Sequence, residues 1–138
     1  MAQTQRQQLG AWGEERAALF LREQGYDIID RNYTVMLHGK KAGEVDIIAW
    51  HAKHHFGKTL CFIEVKTRAF GGGDEEGSAE RATNEKKKLS HLFFAARHYC
   101  LTKDVDIDHT PIQFEHVSVY VDGKTKAVNV RWYEIPVE

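Results

Sequence analysis

Two acids and a lysine stand inside apolar runs that read as β-strands. Asp46 lies in "GEVDIIAW" (43–50), and Glu64 and Lys66 lie in "LCFIEVKT" (60–67). Burying a charge costs several kcal/mol unless it is paired or bound to a metal, so these three need a reason to be there. Residues two apart in a strand share a face. Glu44, Asp46, Ile48 and Trp50 therefore line one face of the first run, and Leu60, Phe62, Glu64 and Lys66 one face of the second. A symmetric hairpin with Trp50 opposite Leu60 sets Ile48 against Phe62, Asp46 against Glu64 and Glu44 against Lys66; a slip of one residue would separate the faces. Directly opposed carboxylates, about 5 Å apart at Cβ, repel. A hard divalent cation, Mg²⁺ or Mn²⁺, resolves the conflict, because it takes carboxylate oxygens and keeps several waters. Lys66, one step along, can orient a water or meet a phosphate oxygen. These are the parts that phosphodiester hydrolysis needs: a cation to generate the nucleophile and neutralise the phosphate, and an ammonium to stabilise charge developing in the transition state. So short a pattern is weakly specific. The plainer and commoner reading is a charged strand end that pairs Glu44 with Lys66 and exposes Asp46.

The elements that would position these residues can be read in turn. Residues 5–24 have helical spacing and end at Gly25, a C-terminal cap. Leu9, Gly10, Gly13, Glu14, Ala17, Ala18, Phe20 and Leu21 fall on one arc, small and apolar except for Glu14. Glu15 falls on the other side with Arg22, so Glu14 is the glutamate aimed at the fold and could complete a metal site. Branched and aromatic residues mark strands at 26–33, 43–50 and 60–67, with a polar loop containing Gly57 closing the last two as a hairpin. Residues 69–82 are glycine-rich and acidic; without the lysine spacing of a phosphate-binding loop they read as a mobile loop. A second helix spans about 83–101, with Leu89, Leu92, Phe93, Ala96, Tyr99 and Cys100 as its buried stripe and Lys88 at the edge. Strands at 112–121 and 127–133 follow, joined by a turn at Asp122-Gly123. The order αβββαββ predicts an α/β fold with a mixed sheet.

A chain of 138 residues suggests one domain, long enough to bury a core without staples. Its net charge of −1 argues against a non-specific coat for nucleic acid but leaves room for a local basic stripe. Candidate stripes are Lys40-Lys41, "HAKHHFGK" at 51–58 and Lys86-Lys87-Lys88, though each alone reads first as a solvated face. Cys61 and Cys100 lie in apolar runs and read as buried thiols. His51, His54 and His55 read as exposed loop residues, since a hairpin tip without cysteine partners is a poor place for zinc. Trp12, Trp50 and Trp132 read as packing residues before base-stacking ones. No apolar run approaches membrane-spanning length and the first residues lack an apolar signal core. The expectation is a soluble cytoplasmic protein with no membrane partner.

The motifs "GAWGEERAALFLREQGYDIIDRNY", "GEVDIIA", "FIEVKTR" and "KLSHLFFAARHYC" together resemble the YraN family, a bacterial group without a settled activity. They are also similar to the broader PD-(D/E)xK nucleases, including archaeal Holliday-junction resolvases. The resemblance covers most of the chain and implies a restriction-endonuclease-like fold. It places Asp46, Glu64 and Lys66 at the nuclease-core positions and Glu14 at the position of the resolvases' first-helix acid. It implies Mg²⁺ or Mn²⁺ held by Asp46, Glu64 and Glu14, with the Val65 backbone carbonyl as a further ligand by analogy. Arg68 would meet phosphate or the acidic loop that follows it, and Lys88, at a matching place in the second helix, would meet nucleic acid. Two departures bear on substrate detail: the fourth strand reads Gln113-Phe114-Glu115 where the family usually has arginine-phenylalanine-aspartate, and the "HAKHHFGK" loop is longer than usual. The expected function is a metal-dependent nuclease acting on DNA, with structured or branched DNA in view. The rivals are a non-catalytic nucleic-acid-binding module and a partner-binding protein without a nucleic-acid role. Resolvases of this fold work as dimers, so a homodimer stays open.

Overall fold

The computed structural model describes residues 3–53, 57–70 and 78–137, with side chains for all of these except 70 and 78–86. Its elements are α1 (Gln5–Glu23), β1 (Asp27–Leu37), β2 (Lys40–Lys53), β3 (Gly57–Phe70), α2 (Ser78–Thr102), β4 (Ile112–Asp122) and β5 (Val128–Ile135). The strands form one sheet in the order β1-β2-β3-β4-β5. Neighbours are antiparallel except β3 and β4, which run parallel with α2 between them in sequence. This is the mixed α/β architecture in the order αβββαββ that the sequence predicts.

Local chemistry explains both ends of α1. The Thr4 hydroxyl accepts from the Gln7 amide at 3.1 Å while the Gln7 side chain accepts from the Thr4 amide at 3.0 Å, a reciprocal capping box. At the other end Gly25 adopts φ 89°, and the Tyr26 amide turns back to the Leu21 carbonyl at 3.0 Å; a left-handed residue there is what glycine permits.

Each face of the sheet buries one helix. Ala17, Ala18 and Leu21 of α1 pack with Ile47, Ile63, Val117 and Val119. Leu92, Ala95, Ala96 and Tyr99 of α2 pack with Val35, Val45, Ile48 and Phe62. Two glycines set how closely the helices approach. A Cβ on Gly13 would lie 1.8 Å from Thr67 Oγ1, and one on Gly43 would lie 2.8 Å from the Ala95 amide nitrogen and 2.9 Å from the His91 carbonyl oxygen. Gly43→Ala must therefore push α2 off the sheet, and a loss of about 1–3 kcal/mol is expected. Gly10→Ala meets open space inside α1 and should gain roughly 0.4–1 kcal/mol, because alanine gives up less conformational freedom in a helix. Urea denaturation of both variants checks the pair.

Several elements run longer than predicted. α2 begins at Ser78 rather than 83, and Ala69 and Phe70 belong to β3; the rest of the predicted mobile loop, residues 71–77, lies outside the described residues. β2 and β3 continue into the predicted polar loop, pairing His51 with Thr59, Ala52 with Lys58 and Lys53 with Gly57. Backbone hydrogen bonds carry a ladder past the point where apolar alternation stops. His51 is half-buried rather than loop-exposed, with its ring stacked 3.9 Å from Tyr26 and Nε2 bonded to the Gln24 carbonyl at 2.8 Å; His54 and His55 lie outside the described residues. Cys61 and Cys100 are buried free thiols, as expected. Among the described residues no helix is long and apolar enough to cross a membrane.

One buried acid is unrelated to the predicted site. Glu115 is 0% exposed. Its carboxylate accepts from Tyr26 Oη at 2.5 Å, Trp132 Nε1 at 2.5 Å and Gln113 Nε2 at 3.0 Å, and lies 3.2 Å from Lys53 Nζ. Burial, with this carboxylate alongside, pushes the Tyr26 hydroxyl and the Cys61 thiol well above their ordinary ranges. Trp132 thus has a definite polar partner, which the sequence does not reveal.

Candidate metal and nucleic-acid site at the fork of the sheet

The β2–β3 ladder starts at Lys53–Gly57, passes through Trp50–Leu60 and Ile48–Phe62 in the predicted register, and ends at Ile47–Ile63. Beyond it the sheet forks. Among the described residues, β2 stays paired with β1 alone, through Val45–Tyr33, Glu44–Thr34 and Gly43–Val35. β3 likewise stays paired with β4 alone, from Glu64–His116 to Phe70–Asp122. Asp46 and Glu64 occupy the first positions past the split. The predicted cross-strand pairs Asp46–Glu64 and Glu44–Lys66 are therefore absent from the ladder. The alternation of faces along β2 also breaks here: Val45 and Ile48 both join the α2-side core, while Ile47 joins the α1 side. On β1 the break is matched at Asn32, which has φ 54° between Arg31, the partner of Ile47, and Tyr33, the partner of Val45. β2 turns with β1 toward α2, and that turn carries Asp46 into the gap.

Asp46 Oδ2 accepts the Val65 amide hydrogen at 2.7 Å, bridging the two arms of the fork where the ladder has stopped. Burial raises its pKa to about 7; the Val65 hydrogen bond opposes the rise, and the carboxylates of Glu44, Glu14 and Glu64 add to it. A cleft of about 270 Å³ opens beside it, lined among others by Glu14, Glu44, Asp46, Glu64, Lys88 and His91. Four carboxylates from α1, β2 and β3 thus border one small space.

Most of these acids already have a cation or donor. Glu14 points inward as its arc predicts and reaches Arg31 Nη2 at 3.1 Å; Glu15 reaches Arg31 Nη1 at 2.7 Å from the solvent side, with side-chain exposures of 17% and 65%. Glu44 meets Lys41 at 3.0 Å. Glu64 stands between Lys88 Nζ at 3.9 Å and His116 Nδ1 at 3.6 Å, and His116 Nε2 in turn meets Ser118 Oγ at 2.7 Å. Val65 also lines the cleft, whereas Lys66 and Arg68 sit half-buried further along β3, outside the lining residues. Lys66 lies level with Ser118 across the parallel ladder.

Among the described residues no three His, Cys, Asp or Glu side chains converge as a ready metal cage. The donors bordering the cleft are oxygen-rich and include no thiol. That set fits a hard cation held through one or two carboxylates with waters completing its shell. Asp46, with its charge penalised by burial and by three other acids, is the group such a cation would relieve. Of the residues expected from the sequence and the resemblance, Glu14, Asp46, Glu64, Val65 and Lys88 border the cleft; His91, which also borders it, and His116, beside Glu64, were not expected. The helical spacing of His91 from Lys88 could have flagged the first. The second depends on the parallel register of β3 with β4, which no local pattern fixes.

Comparison with known proteins bears on this arrangement. The model of UPF0102, described as an uncharacterised protein family, matches residues 13–119, a span that contains all the predicted site residues. A UPF0102 protein of Chlorobium limicola is 45% identical over 116 residues, covering 83% of this chain and 77% of its own. One from Koribacter versatilis is 38% identical over 121 residues, covering 88% and 74%. One from Roseiflexus castenholzii is 32% identical over 133 residues, covering 96% and 95%.

Proposed function

This chain belongs to the uncharacterised protein family UPF0102, the YraN family, and on that footing we propose that it is a cytoplasmic, divalent-metal-dependent nuclease-fold protein that binds DNA and hydrolyses its phosphodiesters, with structured or branched DNA among its substrates. The family name carries no activity, so the reading rests on the fork. The observation that carries it is the half-buried Asp46 carboxylate, its pKa raised to about 7, bordered by Glu14, Glu44 and Glu64 at one cleft. An arrangement chosen for stability alone would not gather those charges.

A bound Mg²⁺ or Mn²⁺ would neutralise the phosphate and lower the pKa of an attacking water. Asp46 and Glu64 are the residues to hold it, with Glu14 assisting from α1. The Val65 amide fixes the direction of Asp46, and His116 and Lys88 stand on either side of Glu64 at 3.6 and 3.9 Å. Lys88, half-exposed at the cleft, would meet a phosphate, and Arg68, further along β3, would meet another. Lys66 supplies an ammonium on the side of β3 that carries Glu64. Its truncation, Lys66→Ala, should leave the melting temperature near wild type and slow cleavage roughly a hundredfold, the scale seen when one transition-state donor is removed. Full activity in a clean Lys66→Ala preparation would remove this role.

The deciding experiment is a cleavage panel of duplex, single-stranded, flap and four-way DNA with Mg²⁺ or Mn²⁺. The second reading is a binding module that does not cleave. It is favoured by Glu14 and Glu64 already facing Arg31, Lys88 and His116. Salt-sensitive binding without cleavage supports it, and absence of binding at low salt supports a partner-binding protein instead.

A further inference from the structure

We infer that the β1–β2 hairpin beyond the fork, residues 33–45, is an arm that enters the major groove of duplex DNA beside the cleft. The inference rests on the nucleic-acid reading above and names the element that grips the duplex.

Past Ile47, among the described residues, the only strand beside β2 is β1, so residues 33–45 form a two-stranded ribbon. One side of the ribbon is backed by α2: Val35 and Val45 join its core, and Gly43 lies directly on the backbone of His91 and Ala95. The tip closes at His38 and Gly39, with φ 51° and 75°. Positive φ at both central residues is the two-residue turn whose twist matches the flanking strands, so the tip is short and fixed. Met36 and Leu37 at that tip are 55% and 47% exposed. Before Glu44 the arm holds no acid: residues 33–43 carry His38, Lys40 and Lys41 in a chain with 20 acids. The root of the arm is the cleft itself, since Glu44 lines it and holds Lys41 at 3.0 Å.

A ribbon whose tip sets Met36 and Leu37 on one strand across from Lys41 and Lys40 on the other suits a polyanion with grooves. The major groove, about 12 Å wide, admits a two-stranded ribbon, with the phosphates of one wall opposing the lysines on the β2 edge. A second copy of this chain fits less well, because covering Met36 and Leu37 with another tip would bring Lys40-Lys41 of both copies together.

The test is fluorescence anisotropy of a labelled DNA duplex with the full chain in EDTA, at several salt concentrations. The variants are Lys40→Ala/Lys41→Ala and Met36→Ser/Leu37→Ser, with melting curves and sedimentation velocity alongside. The lysine variant should melt as wild type and bind more weakly. Its slope of log affinity against log salt should be shallower by about one to two, close to one for each phosphate that the variant no longer neutralises. The Met36→Ser/Leu37→Ser variant should weaken binding at an unchanged slope and an unchanged sedimentation coefficient. If wild type binds duplex and both variants match it in affinity and slope, the arm does not touch the DNA. If the Met36→Ser/Leu37→Ser variant converts a dimer to a monomer at unchanged affinity, the tip is a dimer interface and the inference is overturned. If wild type binds no duplex at all, the nucleic-acid reading itself falls and takes the arm with it.

Discussion

Asp46→Asn is expected to make the metal-free protein more stable above neutral pH, the reverse of what most substitutions in a folded interior do. The carboxyl is raised from 3.8 to about 7, first by burial and then by Glu44, Glu14 and Glu64. The native state therefore holds this proton more tightly than the unfolded chain. Between those two pKa values the native state binds more protons, so stability falls as pH rises through the window, and the full penalty is present above pH 7. At about 1.36 kcal/mol per pKa unit the gain is capped at roughly 4 kcal/mol, and salt screening of the neighbouring carboxylates lowers what is realised. Asparagine keeps a carbonyl oxygen for the Val65 amide, so the bridge across the fork survives. Urea denaturation of both proteins at pH 5 and pH 8 measures the effect: the gap should be narrower at the lower pH, inside the window, and reach its full size at the higher. A variant less stable than wild type at pH 8 would mean that Asp46 is a structural acid.

Glu115→Ala should be the most damaging single change outside the site. Glu115 is fully buried and satisfies Tyr26, Trp132, Gln113 and Lys53 at once. Its removal leaves the Lys53 ammonium, 13% exposed, without its counter-charge. Breaking a buried pair from one side costs about 3–5 kcal/mol, a large share of the ~5–15 kcal/mol that holds a typical domain. Replacing the pair by apolar groups, Lys53→Met/Glu115→Leu, should recover part of the loss, because no buried charge is then left alone. Trp132 donates directly to Glu115, so its emission should report both the unfolding and the changed environment in the native baseline. A Glu115→Ala protein within about 1 kcal/mol of wild type would contradict this account of the cluster.

Much of the positioning was legible because it is local. Gly25 ends α1 for a reason carried by its own backbone, and the phase of one helix separates Glu14 from Glu15. The hairpin reading of β2 and β3 sets Trp50 opposite Leu60, as the ladder does, and hence brings Asp46 toward Glu64. What was not legible is non-local. The fork arises because β1 and β2 curl onto α2 while β3 carries on beside β4, and alternation read along one strand cannot register that parting. Asp46 therefore meets an amide of β3 instead of the side chain of Glu64. The parallel pairing of β3 with β4 spans a whole helix in sequence, so His116 beside Glu64 had no local signal. The same holds for Glu115, whose partners are Tyr26 just before β1 and residues of β2, β4 and β5.

Whether the acids at the fork hold a cation is decided by thermal melts of wild type, Asp46→Asn and Glu64→Gln with and without Mn²⁺. A ligand that binds only the folded state stabilises it by RT ln(1 + [L]/Kd), roughly 2.7 kcal/mol at a hundredfold excess over Kd. Wild type should gain stability that grows with Mn²⁺ in this way. Both variants should match or exceed wild type without metal and respond to Mn²⁺ far less, an amide keeping at most a weak hold on the ion. If wild type is unmoved by Mn²⁺ and by Mg²⁺, or if both variants lose metal-free stability and keep the wild-type shift, the acids at the fork are structural and the site is not a metal site.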